Sequence, residues 1–175
     1  ILHRDLKPSN ILLDGFLYPK INDFGLCYEK KSRIQSNIPK GTPLYMAPEI
    51  FDKCNYTKAG DVYAFAIIAY QIICDEKPIT VSDNPKKVMM KVMDGKRYSF
   101  EYPINKSYRD LIKKCWDQEM EKRLTFEQIK EELKTDPGFI TETVDEERFY
   151  RYVNFIDNNQ ISYITSPSID PLNHL

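Results

Sequence analysis

The 175-residue chain has no Cys-x-x-Cys pair, no long apolar run, no surplus of charge of either sign and no internal repeat. Each absence removes a class of function. Cys27, Cys54, Cys74 and Cys115 stand apart rather than in metal-ligand or redox spacing, and no secretory signal accompanies them. They read as reduced thiols, mostly packing residues, of a cytoplasmic protein. The longest apolar stretch, Val62 to Cys74, is shorter than the about 20 residues that a bilayer requires, and it carries Tyr63, Tyr70 and Gln71. It predicts a buried helix and no membrane span. A formal net charge of −1 leaves no electrostatic footprint for nucleic acid or a membrane surface. No targeting segment opens the chain and its first residue is Ile1, so the expectation is a start truncated relative to the natural protein.

What is present suits one soluble domain with a sizeable core, at 42% apolar and 29% charged residues. Ile11-Leu12-Leu13 and Leu17 to Ile21 flank Asp14-Gly15, which predicts a short hairpin. Gly25 to Gly41 shows no period and predicts a mobile surface loop of a length associated with function. Pro48 sits where the first turn of a short helix tolerates it. Helices are expected over Val62 to Cys74, apolar nearly all round and therefore central, and from Asp83-Asn84-Pro85 to Gly95, with Val88, Met89, Val92 and Met93 on one face. Ser107-x-x-Asp110 predicts the start of a third helix with Leu111, Ile112, Cys115 and Trp116 inward. Thr125-x-x-Gln128 is a capping box for a fourth through Lys134, stopped by Asp136-Pro137-Gly138. A last amphipathic helix fits Asp145 to Asp157, with Phe149, Tyr150, Tyr152, Val153 and Ile156 on one side, followed by a loose tail from Asn158.

Three motifs then occur in one order. His3-Arg4-Asp5-Leu6-Lys7-Pro8-Ser9-Asn10 is followed by Asp23-Phe24-Gly25 and by Ala47-Pro48-Glu49. The middle motif alone is a weak signal, but the ordered, correctly spaced set is specific. On these residues the chain resembles the eukaryotic protein kinase family over Ile1 to Lys134, about three quarters of its length. The resemblance implies a mainly α fold: the C-lobe of the protein-kinase-like fold with a short β-hairpin at the active site and the N-lobe absent. It implies a partial kinase domain over residues 1–134, with an extension over 135–175 that holds one amphipathic helix and the tail.

The chemistry explains the residue types, because phosphoryl transfer needs positioning and charge neutralisation more than covalent catalysis. By the resemblance, Asp5 takes the proton of the attacking hydroxyl and Lys7 neutralises the moving phosphoryl group of ATP. Mg²⁺ prefers hard oxygen ligands, and Asn10 and Asp23 fill the metal positions. Leu12 falls under the adenine ring. Arg4 resembles the arginine that grips a phosphate on the activation loop, where Ser32 and Ser36 are candidate phosphosites, although most loop serines are merely solvated. Asp61 matches the aspartate that anchors the catalytic-loop backbone. Glu49 and Arg123 match an ion pair, and His3 and Phe24, the latter followed by Gly25, match members of a stacked apolar column. Taken singly, these charges would more often be loop or surface groups in water; their motif context favours the catalytic reading. Trp116 reads as core, and His174 has no role that the sequence names.

Lys7 two residues after Asp5, and Thr42 within Gly41-Thr42-Pro43, resemble serine/threonine kinases. Cys115-Trp116 with Arg123-Leu124-Thr125-Phe126 resembles the tyrosine-kinase-like group of them, with Leu124 and Ala66 as departures from its pattern. The 175 residues contain no Gly-rich phosphate loop, strand lysine, helix glutamate or adenine hinge. The expectation is therefore negligible activity for this chain alone and an apolar surface left partly stripped along Val62 to Cys74. Three readings stay open: a fragment of an active serine/threonine kinase, a non-catalytic pseudokinase-like binding or scaffold module, and a relic. Asp5, Lys7, Asn10 and Asp23 together favour the first. The expected partner is a protein substrate, with the exposed apolar surface or the tail helix as further contact sites.

Overall fold

A computed structural model describes residues 1–15, 17–27, 38–74, 84–100 and 103–158. Among the described residues the fold is mainly helical with one antiparallel hairpin, as expected. The hairpin is β1 (Ile11–Leu13) and β2 (Pro19–Ile21), in the register Ile11 to Ile21, Leu12 to Lys20 and Leu13 to Pro19. The helices are α1 (Pro48–Lys53), α2 (Lys58–Cys74), α3 (Pro85–Met93), α4 (Lys106–Cys115), α5 (Phe126–Thr135) and α6 (Glu146–Asn158). Short 3-10 turns at Pro8–Asn10, Phe24–Leu26 and Pro43–Tyr45 carry the chain past the site.

The residues up to Phe139 form one compact unit, and α2 is its axis. Val62, Tyr63, Ala66 and Ile67 are almost wholly buried, against Leu111, Ile112 and Cys115 of α4 among others. Each large apolar side chain so buried contributes about 1.5–3 kcal/mol relative to exposure. Trp116 is core as expected, its ring 5.7 Å from those of Tyr70 and Phe100. The helix begins at Lys58, four residues before the apolar run, because Thr57 closes the first turn: its carbonyl and hydroxyl both accept the Gly60 N–H.

Three expectations are corrected. The cap of α4 is Asn105, whose side chain accepts the Ser107 N–H; Asp110 instead pairs with Lys106 one turn before it. An asparagine two positions ahead supplies the acceptor, so Ser107 lies inside the helix. On α3 only Val88 and Val92 are buried, while Met89 and Met93 are exposed beside Met90. Flexible, polarizable methionine tolerates such a half-wet position better than valine does. The stripped surface along α2 is also narrower than expected. Ala64 and Ile68 of α2 are covered by Leu6, with Ile11 and Tyr45 packed against them, so Ile72 is the one strongly exposed apolar residue of that helix. Exposure concentrates on the hairpin, at Leu12, Leu13, Leu17 and Ile21.

The capping box of α5 forms as read: Thr125 Oγ1 accepts the Gln128 N–H and the Gln128 side chain accepts the Thr125 N–H. Asp136 ends the helix and Phe139 closes the unit, with its carbonyl accepting the Tyr108 hydroxyl at 2.8 Å. The second unit begins at Ile140. In it α6 starts on Asp145, which accepts the Arg148 N–H. Phe149, Tyr152, Val153 and Ile156 share a stripe of α6 by their three- and four-residue spacing, while Tyr150 lies off it and is exposed.

Candidate active site

The loop before the hairpin is anchored from below. Asp61, buried on α2, accepts the His3 N–H at 2.8 Å with one oxygen and the Arg4 N–H at 2.9 Å with the other. Arg4 takes φ +71°, a left-handed conformation that an L-residue keeps only where its surroundings over-determine it. Two charge-assisted hydrogen bonds to Asp61 fix the backbone that leads into that torsion. The next residue, Asp5, thereby points to the centre of the site.

Asp5 collects three side chains. Its Oδ1 accepts from both the backbone N–H and the hydroxyl of Thr42, each at 2.8 Å. Its Oδ2 pairs with Lys7 Nζ at 2.8 Å and accepts more weakly from Asn10 Nδ2 at 3.5 Å. Lys7 Nζ also donates to Thr42 Oγ1 at 3.1 Å, so that hydroxyl accepts from the lysine while donating to the aspartate. Burial pushes the Asp5 carboxyl up, but Lys7 and Thr42 outweigh it and hold the group below the usual aspartate value. Asp5 is therefore a carboxylate at neutral pH, with lone-pair capacity left on Oδ2 for one more donor.

Thr42 reaches Asp5 because Gly41 precedes it. Gly41 has φ +117°, and a Cβ there would lie 2.7 Å from the Arg4 carbonyl oxygen. Only glycine allows this approach of two backbones.

The hairpin brings the second motif to the first. Asn10 ends one side and Asn22 continues the other, and the Asn22 N–H donates to the Asn10 carbonyl at 2.9 Å. Asp23 follows with φ +60°, exposed at the hairpin's open end, its Oδ1 accepting the Gly25 N–H at 3.3 Å. Phe24 sets its ring 5.5 Å from that of His3. The His3 Nε2 donates to the Asn22 carbonyl and its Nδ1 accepts the Asp5 N–H, which defines the tautomer. Leu12 lies on β1, half exposed, opposite Lys20.

The donor chemistry suits Mg²⁺. Asn10 is buried and commits its amide nitrogen to the Asp5 carbonyl at 2.9 Å, which leaves its carbonyl oxygen able to serve as a ligand. With the Asp23 carboxylate this makes a hard-oxygen pair, the kind Mg²⁺ accepts alongside waters and phosphates.

Further down, Glu49 and Arg123 meet in a bidentate pair, with both contacts at 2.8 Å. Ser32 and Ser36 lie outside the described residues. Sequence reasoning missed Tyr56. Its ring lies under the Arg4 guanidinium and its hydroxyl meets the backbone of Lys40. No motif contains it, and the only signal was an aromatic residue just ahead of α2.

Comparison with known proteins points to one family. The family model described as the protein kinase domain matches residues 1–133. The chain is 37% identical over 138 residues to the dual specificity protein kinase shkA of Dictyostelium discoideum, covering 76% of this chain and 26% of that protein. It is 37% identical over 151 residues to the serine/threonine-protein kinase VIK of Arabidopsis thaliana, covering 78% of this chain and 34% of the relative. With the human ankyrin repeat and protein kinase domain-containing protein 1 the identity is 36% over 140 residues, covering 72% and 18%. The chain thus spans about a third or less of the length of these curated relatives.

Proposed function

The chain belongs to the protein kinase family, and from that premise we propose that it carries the catalytic and activation-segment part of a serine/threonine kinase of the tyrosine-kinase-like group, one that phosphorylates protein hydroxyls. The observation that carries this reading is the convergence of Lys7, Asn10 and Thr42 on Asp5. A carboxylate held ionised, with its geometry set by two donors from Thr42 and one from Lys7, can accept the proton of an incoming serine or threonine hydroxyl on Oδ2. Lys7, already within reach of that oxygen, faces the charge that develops on the transferred group. Asn10 and Asp23 would hold Mg²⁺, which when bound would neutralise phosphate charge and orient ATP. Leu12 offers the adenine an apolar floor. Arg4 and the serines at 32 and 36 belong to the switch in this reading, with Arg4 as the group that would meet a loop phosphate.

The 175 residues alone turn over negligibly in this proposal, because the family requires a lysine–glutamate pair that they do not contain. The exposed hairpin is then the surface that the remainder of a kinase domain covers. A second reading, a non-catalytic binding module, draws on the same exposed leucines. Protein partners would sit there or on the apolar stripe of α6. Among the described residues no helix is long and apolar enough to cross a membrane, and none of the four cysteines is in a disulfide. Reduced thiols suit a reducing compartment, and we place the protein in the cytoplasm.

The test is Asp5→Asn in the natural full-length protein, with peptide acceptors bearing serine, threonine or tyrosine. Transfer to serine and threonine is expected to fall by about 10³-fold, in the range of a lost general base. Full-rate transfer by the variant, or none by the wild type, would sink the enzyme reading and leave the binding module.

A further inference from the structure

Tyr56 stands outside every motif, yet it touches both sides of the site. Its hydroxyl accepts the Lys40 N–H and donates to the Lys40 carbonyl at 2.8 Å, so one oxygen satisfies both backbone polar groups of a single residue. Its ring lies 4.0 Å from the guanidinium carbon of Arg4. Arg4 immediately precedes Asp5, and Lys40 stands two residues before Thr42. Between Lys40 and Thr42, Gly41 passes so close to the Arg4 carbonyl that no side chain fits. Arg4, Asp5, Thr42, Tyr56 and Asp61 all line one small pocket behind the catalytic loop.

These contacts form a closed circuit. Arg4 runs by its backbone into Asp5, Asp5 bonds to Thr42, Thr42 continues back through Gly41 to Lys40, Lys40 is held by Tyr56, and Tyr56 supports Arg4. We infer that Tyr56 is a positioning residue for phosphoryl transfer: it seats Thr42 against Asp5 by fixing Lys40 with its hydroxyl and Arg4 with its ring. The inference rests on the kinase reading proposed above. Without the tyrosine hydroxyl, the two backbone groups of Lys40 turn to water, and the segment between Lys40 and Thr42 loses both of those hydrogen bonds. Thr42 then samples positions in which Asp5 and Lys7 lose a shared partner. A guanidinium over an aromatic face is also a specific attraction, strongest where water is partly excluded.

The circuit has two separable parts, and two substitutions divide them. Tyr56→Phe keeps the ring under Arg4 and removes the hydroxyl. Tyr56→Leu removes both. In the natural full-length protein, Tyr56→Phe is expected to lower kcat about tenfold with the KM for ATP unchanged, the scale of a lost positioning hydrogen bond. Amide exchange at Lys40 should rise about tenfold in the same variant, while its melting temperature stays near that of the wild type. Tyr56→Leu is expected to lower kcat about a hundredfold, since small misplacements near reacting groups reach that size. Wild-type turnover in Tyr56→Phe, or unchanged exchange at Lys40, overturns the inference. So does a fall in kcat matched by an equal rise in the KM for ATP, which would mean general loosening of the site. A wild-type protein with no transferase activity is a different outcome: it removes the kinase reading itself, and is seen before any variant is made.

Discussion

Two ion pairs of the same length, 2.8 Å, do opposite things in this molecule. Arg123 is closed on every side. It grips Glu49 with two nitrogens, donates to the carbonyls of Ala59 and Asp117, and lies over the Tyr63 ring, with no side-chain surface left in water. Asp5 and Lys7 are left open. The lysine keeps a quarter of its side chain exposed, and the aspartate shares its oxygens among three residues. A pair with every donor occupied can only hold structure together. A pair with spare acceptor capacity at the surface can take a proton and release it. The difference predicts that stability and chemistry separate cleanly between the two.

The largest effect should come from opening the closed pair. Arg123→Met leaves Glu49 partly buried without its partner and takes a donor away from the Ala59 and Asp117 carbonyls, at a cost of about 3–5 kcal/mol. Urea denaturation of the chain checks this, and the midpoint should fall with the slope unchanged. Adding Glu49→Leu to that variant should recover part of the loss, since an apolar pair avoids the stranded charge. It should not recover all of it, because the Asp117 carbonyl still loses the Arg123 donor. A cost under about 1 kcal/mol for Arg123→Met would place this pair with ordinary surface bridges.

Next in size is the anchor between the two regions. Asp61→Ala removes the acceptor for one buried and one partly buried N–H group and loosens the backbone that leads into the left-handed torsion at Arg4. A loss of about 2 kcal/mol is expected from the unsatisfied donors. The accompanying sign is faster amide exchange at His3 and Arg4 rather than throughout α2. Exchange that quickens uniformly would mean the helix, and not the loop, depends on Asp61.

Which of these relations could be read in the chain follows from where each partner lies. The residues of His3 to Asn10 and Asp23 to Gly25 are legible because their chemistry is packed into short stretches with fixed spacing. The capping box at Thr125 is equally local, and so is the apolar run of α2. The start of α4 was misread because two acceptors, Asn105 and Ser107, compete within three residues and only the backbone angle chooses between them. The exposure of Met89 and Met93 escaped periodicity, since a helical face says which residues align and not how far the neighbouring elements extend over them. Cover on Ala64 and Ile68 came from Leu6, more than fifty positions away. Tyr56 was illegible for the same reason: its partners Arg4 and Lys40 are distant in sequence and one of them offers only backbone.

The smallest effects belong to the open pair, and they sharpen the contrast. Asp5→Asn should change stability less than Arg123→Met at neutral pH, because Lys7 keeps a quarter of its side chain in water, even though it removes the proposed base. Its remaining contribution has a defined pH dependence. Lys7 and Thr42 hold the folded carboxyl below its ordinary value of 3.8, against the opposing pull of burial. A group whose folded pKa is depressed stabilises the fold above its unfolded pKa and loses that contribution as pH falls through the folded one. The melting temperatures of wild type and Asp5→Asn, compared from pH 7 downward, should therefore differ by a constant amount until about pH 4 and converge below it. A gap that persists in acid would show that Asp5 acts in the fold through shape and neutral hydrogen bonds alone. That would weaken the view of it as an ionised acceptor waiting for a substrate proton.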